Sequence, residues 1–515
     1  METHERRYVS SLVPRSPIVL TALIIGASAI TSTTLGYDGS MTNGLNILPQ
    51  YNDYFHLETA TRSLLTSAIW IGGALSTPFG GYISDRWGRK HGMFWAAIIS
   101  LVGVILQTAA QNIAMFVIGR MVIGFGTTMS KVATPTYVSE TTPMRWRAFA
   151  LGIFYDFWYV GGLIAAGVTY GTFQLSGTWA WRAPSILQGL PSIFCLAILP
   201  FVPESPRWLI YQDRLEDGLE VLAITSGGGS RAHPVVVTEF NEITDTIRFE
   251  KEAGTKKDWV EPFRTPVNRK RMSLALSVAV IGSVSGNTVI SYYLGDMLDQ
   301  AGIRDTTEQL QVNIVLSVFC LIVSLLGTSL AERMGRRFLA IGSTAGMVIF
   351  MFLVGALTRF YTSGGNLSGS YATVAAIFLF QGSYSFGWTP LSVMYPPEVL
   401  HYSIRASGMA IYTLSIALMG IFTTYVFPFA LDGIGWKTYM VFGSWDLLEL
   451  AYVAMFWIET RGKTLEEVDA LIDVSHTDAP DLATVLSGKV QVLTGLESEV
   501  ERHTAGTRRI NKDTA

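Results

Sequence analysis

Cysteine and charge are both scarce in this chain. Its 515 residues include two cysteines, Cys195 and Cys320, and 15% of them are charged, against about 25% in an ordinary soluble protein. Two cysteines inside apolar runs argue against a disulfide framework and against a cysteine-built zinc site. The net charge of −3 provides no large basic surface for nucleic acid. A soluble chain of this length needs a charged surface, so we interpret this one as a polytopic membrane protein.

The common motifs of metal, nucleotide and catalytic sites are also missing from the sequence. The seven histidines form no HExxH pair, and no Walker A pattern is present. No nucleophile and base stand in a recognisable catalytic arrangement. We therefore expect no metal, no cofactor, no ATP drive and no enzymatic activity.

Twelve runs of about 20 mostly apolar residues match the length that crosses a bilayer core about 30 Å thick. They lie near 18–45, 61–84, 93–110, 113–134, 149–170, 182–201, 272–296, 309–330, 338–358, 372–396, 406–430 and 436–457. The sequence thus predicts an all-α membrane protein with two six-helix bundles, 18–206 and 272–457. Residues 1–17, a polar linker with short helices (207–271) and a tail (458–515) lie outside the membrane. We expect the tail to be largely disordered after about 475, with a possible helix near 480–503.

Lysine and arginine predict the orientation. The short loops on the side of the N-terminus hold nine of these residues, and the loops on the other side and their edges hold five. The excess places both termini in the cytoplasm. The single Asn-x-Ser/Thr sequon, at Asn366, then falls in an outside loop and is a candidate glycosylation site.

Three charged motifs recur in the two halves. Asp85–Lys90 (DRWGRK) has a counterpart in Glu332–Arg337 (ERMGRR), a Y-x-x-E-x6-R pattern follows spans four and ten, and an acidic motif follows spans six and twelve. The offsets are 247, 258 and 255 residues, which indicates duplication and the two-repeat design of transporters.

The repeated charges lie at predicted cytoplasmic helix ends, where each acid can pair with a basic group. Such pairs would hold the inner face closed while the site opens outside; the alternative is that the charges only set topology. The candidate gating residues are Asp85, Arg86, Arg89, Glu140, Arg147, Glu204, Arg207, Glu332, Arg336, Glu398, Arg405 and Glu459.

These motifs resemble those of the sugar porter family of the major facilitator superfamily. The matching segments are GYISDRWGRK (81–90), PTYVSETTPMRWR (135–147), PESPRWL (203–209), YPPEVLHYSIRASG (395–408) and ETRGKTLEE (459–467). The resemblance implies a major facilitator fold. Within the family the chain is most similar to fungal lactose and cellodextrin permeases, through GYDGSMTNGL (36–45), YDFWYVG (155–161) and SGNTVISYYL (285–294).

The chain also departs from the family pattern. Gly282 and Ser283 stand where hexose porters carry a pair of glutamines, and Asn287 lies one position early. Trp388 matches a family aromatic, but Val393 replaces the second family tryptophan. These departures affect the identity of the ligand and not the fold.

Ionisable residues within membrane spans are costly, so each is a functional candidate. Asp38 and Arg120 have matching predicted depths and could meet in the outer half of the cavity. The resemblance implies proton coupling for this pair; the alternative is a structural ion pair.

Asp156 is the other buried acid of the first half. It could accept hydrogen bonds from sugar hydroxyls, titrate as a second coupling group, or be protonated and simply packed.

Sugars need hydroxyl partners and an apolar face. The further candidates for substrate binding are Tyr155, Gln188, Ser283, Asn287, Thr288, Tyr292, Tyr293 and Trp388, although any of the aromatics could instead serve helix packing.

The sequence favours proton-coupled uptake of a di- or oligosaccharide, by alternating access, at the plasma membrane. The alternatives are a facilitative carrier or exporter of a polyol-like or secondary metabolite, and a non-transporting sugar sensor. The expected partners are a sugar or polyol, a proton and the lipid bilayer, and the sequence does not indicate an oligomeric state.

Overall fold

The computed structural model describes residues 10, 12–252, 259–361, 367–463, 467, 468, 471 and 472. Within these residues the regular secondary structure is helical, so the all-α prediction is confirmed. Asn366 and the predicted tail helix near 480–503 lie outside the described residues. Residues 10–462 form one compact unit, and the few described residues from 463 onward belong to a second.

Long helical segments occupy all six predicted spans of the first half. They are α1 (Pro17–Ile47), α3 (Thr59–Trp87), α4 (Arg89–Thr108), α5 (Ile113–Thr141), α6 (Met144–Thr172) and the pair α7 (Trp179–Leu187) and α8 (Leu190–Ile198), which continues as a 3₁₀ turn to Phe201. A short helix, α2 (Pro49–Phe55), follows α1. The linker forms α9 (Pro206–Tyr211), α10 (Leu215–Ser226), α11 (Pro234–Glu252) and α12 (Glu261–Arg264).

The second half also has six long segments. They are the pair α13 (Pro266–Val284) and α14 (Asn287–Gln300), then α15 (Thr306–Met334), α16 (Arg336–Tyr361), α17 (Leu367–Val399), α18 (Tyr402–Ile434) and α19 (Lys437–Phe456). Nine of the described segments are long and apolar enough to cross a membrane. The three others, α3, α17 and α19, carry more polar residues, and α19 holds the buried acids Asp446 and Glu449.

Two spans that were predicted as single helices are interrupted. The seventh breaks at Ser285–Gly286, where Gly286 has a φ of +91° that favours glycine. The sixth breaks at Gln188–Gly189, just before Pro191, which has no N–H to continue the helix. Helices that break inside a membrane are tolerated where they line a cavity or are buried in protein.

Small residues bring helices of the first half into close contact. Gly36 of α1 lies against the backbone of Trp158 in α6, and Gly161 of α6 lies against the backbone of Thr33. A side chain at either glycine would collide with the facing backbone, so the two helices depend on these residues for their close packing.

The halves meet mainly along three helix pairs: α1 with α14, α3 with α18, and α6 with α15. We call the end of the bundle that carries Asp85–Lys90, Glu140, Glu204, Arg336, Glu398 and Glu459 the motif face. The opposite end is the far face.

Candidate functional site

A cavity of about 380 Å³ lies between the two halves. This volume is within the range of about 300–1,000 Å³ that is common for small-molecule sites. Aromatic and hydroxyl side chains dominate the lining, among them Trp70, Tyr155, Trp158, Tyr159, Tyr292, Tyr384, Tyr412, Ser283, Thr288, Ser291, Thr389 and Thr413. Of the described residues that line it, two are charged, Asp38 and Lys131. Such a lining can stack against a sugar ring and exchange hydrogen bonds with its hydroxyl groups.

Contacts between the halves close the cavity toward the far face. Arg62 of α3 pairs with Asp296 of α14 at 3.0 Å, and Thr59 Oγ1 donates to Asp432 Oδ2 at 2.5 Å. Deeper in the protein, Asn43 of α1 donates to Asn313 of α15 at 3.1 Å. The sequence analysis identified none of these residues. The cavity lies on the motif-face side of these contacts and reaches Ser392 and Met409, seven residues from the nearest ends of α17 and α18.

Asp38 and Arg120 lie close together but are not directly paired. Both side chains are almost fully buried, with 2% and 1% exposure. Asp38 Oδ1 accepts a hydrogen bond from Gln188 Nε2, whereas Arg120 Nη2 donates to Thr42 Oγ1 at 2.6 Å, one helical turn farther along α1. Asp38 Oδ2 and Arg120 Nε have no hydrogen-bond partner among the described residues. The carboxylate therefore retains a free oxygen while it faces the cavity.

The break in the seventh span brings the predicted polar residues of this region to the cavity. Ser283 lies in the last turn of α13, whereas Asn287, Thr288 and Tyr292 lie in the first turns of α14. All four residues line the cavity. Asn287 Oδ1 accepts a hydrogen bond from Gln381 at 2.7 Å. Tyr293 faces away from the cavity and donates to the Thr424 carbonyl oxygen at 2.6 Å.

Four other candidates for substrate binding differ in position. Tyr155 lines the cavity, but the neighbouring Asp156 does not; Asp156 Oδ1 accepts hydrogen bonds from Ser324 at 2.9 Å and Thr328 at 3.3 Å across the α6–α15 contact. Trp388 is fully buried and packs edge-on against Trp457 at 5.4 Å between ring centres. Gln188 supports Asp38 from behind the cavity wall.

Lys131 is a charged cavity residue that the sequence analysis missed, together with aromatic residues of the lining such as Trp70 and Tyr159. It belongs to α5, its side chain is exposed, and the surface that it faces is the cavity. Its ammonium nitrogen lies 5.5 Å from the centre of the Trp70 ring. A lysine inside a predicted span is a signal that the rule for intramembrane charges detects.

The first set of repeated motifs forms one cluster at the motif face. Glu140 accepts two hydrogen bonds from Arg89, at 3.0 and 3.3 Å, and one from Ser205 Oγ at 2.5 Å. Asp85 pairs with Arg89 at 3.4 Å, and Glu204 accepts from the backbone N–H of Lys90 at 3.0 Å. Glu204 thus binds a free N–H group at the start of α4, where the helix dipole favours an anion.

The second set repeats this geometry. Glu398 accepts from Arg336 at 3.0 Å and from Thr460 Oγ1 at 2.5 Å. Glu459 accepts from the backbone N–H groups of Arg336 and Arg337, at 2.8 and 3.1 Å, at the start of α16. The duplication inferred from spacing is therefore also visible in the contacts. Both clusters join elements within one half.

A glycine stands at the centre of each cluster. Gly88 has a φ of +107° and Gly335 a φ of +91°, a backbone conformation that other residues rarely adopt. A Cβ atom at these positions would also collide with the carboxylates of Glu204 and Glu459.

The remaining gating candidates lie around these clusters. Arg86 donates to Tyr82 OH at 2.6 Å, Arg147 pairs with Glu239 of the linker helix α11 at 3.5 Å, and Arg405 donates to the Leu400 carbonyl oxygen at 3.3 Å. Arg207 is in the first turn of α9, and Glu332 is in the last turn of α15.

A polar cavity enclosed by two repeated six-helix halves defines a membrane transporter. The model of the sugar (and other) transporter family matches residues 24–472, and the chain belongs to this family. The family resemblance read from the motifs is thereby confirmed, and the protein is a transporter, not an enzyme. The disaccharide-permease subgroup stays a prediction.

Several characterised proteins are similar to this chain. The MFS-type transporter criB of Aspergillus cristatus is 27% identical, over 89% of this chain and 94% of the relative. Two other relatives are also 27% identical. The high-affinity glucose transporter of Kluyveromyces lactis matches over 90% of this chain and 87% of the relative. The major myo-inositol transporter IolT of Bacillus subtilis matches over 87% of this chain and 93% of the relative.

The fold is that of the xylose transporter XylE. The structure of this proton:xylose symporter bound to 6-bromo-6-deoxy-D-glucose is 21% identical and covers 88% of this chain and 99% of its own, with a TM-score of 0.73. A partially occluded, inward-open structure of XylE from E. coli is 19% identical. It covers 85% of this chain and 100% of its own, with a TM-score of 0.71. The predicted major facilitator fold is thus confirmed.

Proposed function

We propose that this protein is a proton-coupled sugar transporter that works by alternating access. The observation that carries the proposal is the carboxylate of Asp38 in the wall of the central cavity, one oxygen of which has no hydrogen-bond partner among the described residues. A buried carboxylate that is accessible from the cargo site can take up and release a proton during the transport cycle. XylE, which has the same fold, is named as a proton:xylose symporter.

The cargo within this proposal is a di- or oligosaccharide or a related polyol. Aromatic faces and hydroxyl groups around the cavity suit a disaccharide and an oligosaccharide alike. The glucose transporter and the myo-inositol transporter are equally similar to the chain, which favours keeping a cyclic polyol as a second candidate.

Uptake of labelled sugars tests this function. The panel contains a hexose, a pentose, a disaccharide, an oligosaccharide and a cyclic polyol, measured at two external pH values in a host that lacks its own sugar porters. We expect saturable uptake of at least one member, and we expect this uptake to rise on acidification. If no member is transported above the level of empty-vector cells, the assignment of sugar transport is wrong.

The orientation belongs to the same proposal: the motif face and both termini are cytoplasmic, and the membrane is the plasma membrane. The excess of lysine and arginine at the motif face supports this orientation. We expect a tag inserted at residue 366 to be labelled on intact cells, and tags at residues 230 and 500 to be labelled only after permeabilisation. External labelling at residue 230 would reverse the orientation.

A further inference from the structure

The central cavity contains a cation, Lys131, that has no ion-pair partner among the described residues. Lys131 lies ten residues before the end of α5 at Thr141, which places it about 15 Å along the axis from the motif face. No carboxylate of the described residues lies within 4.0 Å of its ammonium nitrogen, which lies 5.5 Å from the centre of the Trp70 ring. A cation–π contact is weaker than an ion pair with a carboxylate, so the ammonium can still bind an anion that enters the cavity.

The acidic residues near Lys131 form no direct ion pair with it in the part of the chain that the structure describes, although the charge of Asp38 acts on it through space. Asp38 accepts its hydrogen bond from Gln188, and the guanidinium of Arg120 lies on the far-face side of this carboxylate. Asp156 is occupied by Ser324 and Thr328 and does not line the cavity. With Asp38 ionised, the charges of Lys131 and Arg120 leave this region with an excess positive charge, and protonation of Asp38 increases that excess.

We propose that the cargo carries a carboxylate and that Lys131 binds it. The inference rests on the proposed transport function and specifies the chemical class of its substrate: an acidic sugar or polyol acid, such as a uronate or an aldonate. One ammonium matches the single charge of a carboxylate, and three N–H donors serve its two oxygens. The aromatic and hydroxyl lining then holds the rest of the molecule, as in the proposal for neutral sugars.

Matched pairs of neutral and acidic cargo test this proposal. The full-length protein is reconstituted in proteoliposomes, and uptake is measured for D-glucose and D-glucuronate, for glucitol and gluconate, and for lactose and lactobionate. We expect the acid of at least one pair to have a half-saturation concentration at least about tenfold below that of its neutral partner. In Lys131→Gln this preference should disappear, whereas Lys131→Arg should keep most of it.

Lys437→Gln is the control, because it removes an exposed lysine at the far-face start of α19. It should keep the wild-type preference. Thermal stabilisation of each purified variant by the same ligands separates loss of binding from loss of folding. Neutral partners that are transported better than the acids in every pair would overturn the proposal, and so would an unchanged preference in a folded Lys131→Gln protein. If Lys131→Gln changes only the pH response of transport, the lysine serves to tune Asp38 and not to bind the cargo. That result would also overturn the proposal. If the wild type transports neither member of any pair, the sugar-transport function fails as well.

Discussion

Asp38→Asn is expected to abolish uphill accumulation of the cargo while exchange and downhill flux continue. In the wild type, one proton carried per cargo molecule converts a gradient of one pH unit into about tenfold accumulation. Without a proton carrier the cargo only equilibrates across the membrane. Uptake by the variant should therefore lose its response to external pH, whereas uptake by the wild type should rise on acidification.

The physical reason is that asparagine preserves the contacts of Asp38 but cannot be protonated. Its amide oxygen can accept the hydrogen bond from Gln188, and its size suits the same buried space, which is 2% exposed. What changes is the charge that faces Arg120 and Lys131. In the wild type, Asp38 is neutral when it binds a proton and negatively charged when it releases it. A change of charge at a buried site alters the balance between conformations.

Proteoliposomes with an imposed pH gradient separate accumulation from exchange. Asp156→Asn is the matched comparison, because it makes the same chemical change at the other buried aspartate of this half. Asp156 is hydrogen-bonded to α15 and does not line the cavity. Uptake by Asp156→Asn should therefore keep the pH dependence of the wild type, even if the rate of uptake changes. A correctly inserted Asp38→Asn protein that still concentrates its cargo would show that the proton travels elsewhere. If only Asp156→Asn loses the pH response, Asp156 is the residue that carries the proton.

The sequence was sufficient to predict the fold and the two charged clusters, for a physical reason. Apolar runs of membrane length identify the helices, and charges repeated at one offset must stand at equivalent helix ends. The pairs Arg89–Glu140 and Arg336–Glu398, with the same distance of 3.0 Å, follow from that repetition.

The cavity wall was harder to predict, because it depends on how each helix is rotated. Neighbours in a helix point about 100° apart, so Tyr155 can line the cavity while Asp156 faces α15. Trp388 occupies a position that the family resemblance associates with a ligand, but it packs against Trp457. Lys131 lies three residues before the predicted end of span four, where a lysine can extend its ammonium to the membrane surface. Only packing shows that it faces the cavity instead.

Glu140→Gln is expected to reduce the maximal transport rate at least about tenfold while cargo affinity changes little. Glu140 binds Arg89 with two hydrogen bonds and also accepts from Ser205, so it joins the ends of α5 and α4 to the segment before α9. The glutamine keeps one acceptor oxygen but loses the charge, which leaves the half-buried Arg89 with Asp85 as its carboxylate partner among the described residues. Hydrogen bonds to charged groups contribute about 1.5–3 kcal/mol, enough to change an equilibrium between two conformations by a factor of ten or more.

Affinity should persist because the cluster is distant from the cargo. Glu140 lies nine residues beyond Lys131 in α5, about 14 Å along the helix axis, and it does not line the cavity. Binding to the purified protein and the maximal rate in proteoliposomes are the two measurements. Glu398→Gln should behave in the same way, because its contacts with Arg336 and Thr460 repeat those of Glu140.

Glu239→Gln supplies the control for this prediction. Glu239 of the linker helix α11 pairs with Arg147 at 3.5 Å, and both side chains are partly exposed to solvent. Solvent-screened pairs contribute about 0–1 kcal/mol. Its maximal rate should remain close to that of the wild type. Normal rates in both Glu140→Gln and Glu398→Gln would mean that the clusters serve topology and folding only. A loss of affinity with an unchanged rate would instead connect the motif face to the cargo site. A reduced rate in these two variants, with wild-type binding and a normal Glu239→Gln protein, is the result that a gating role requires, because only a step of the conformational cycle is then affected.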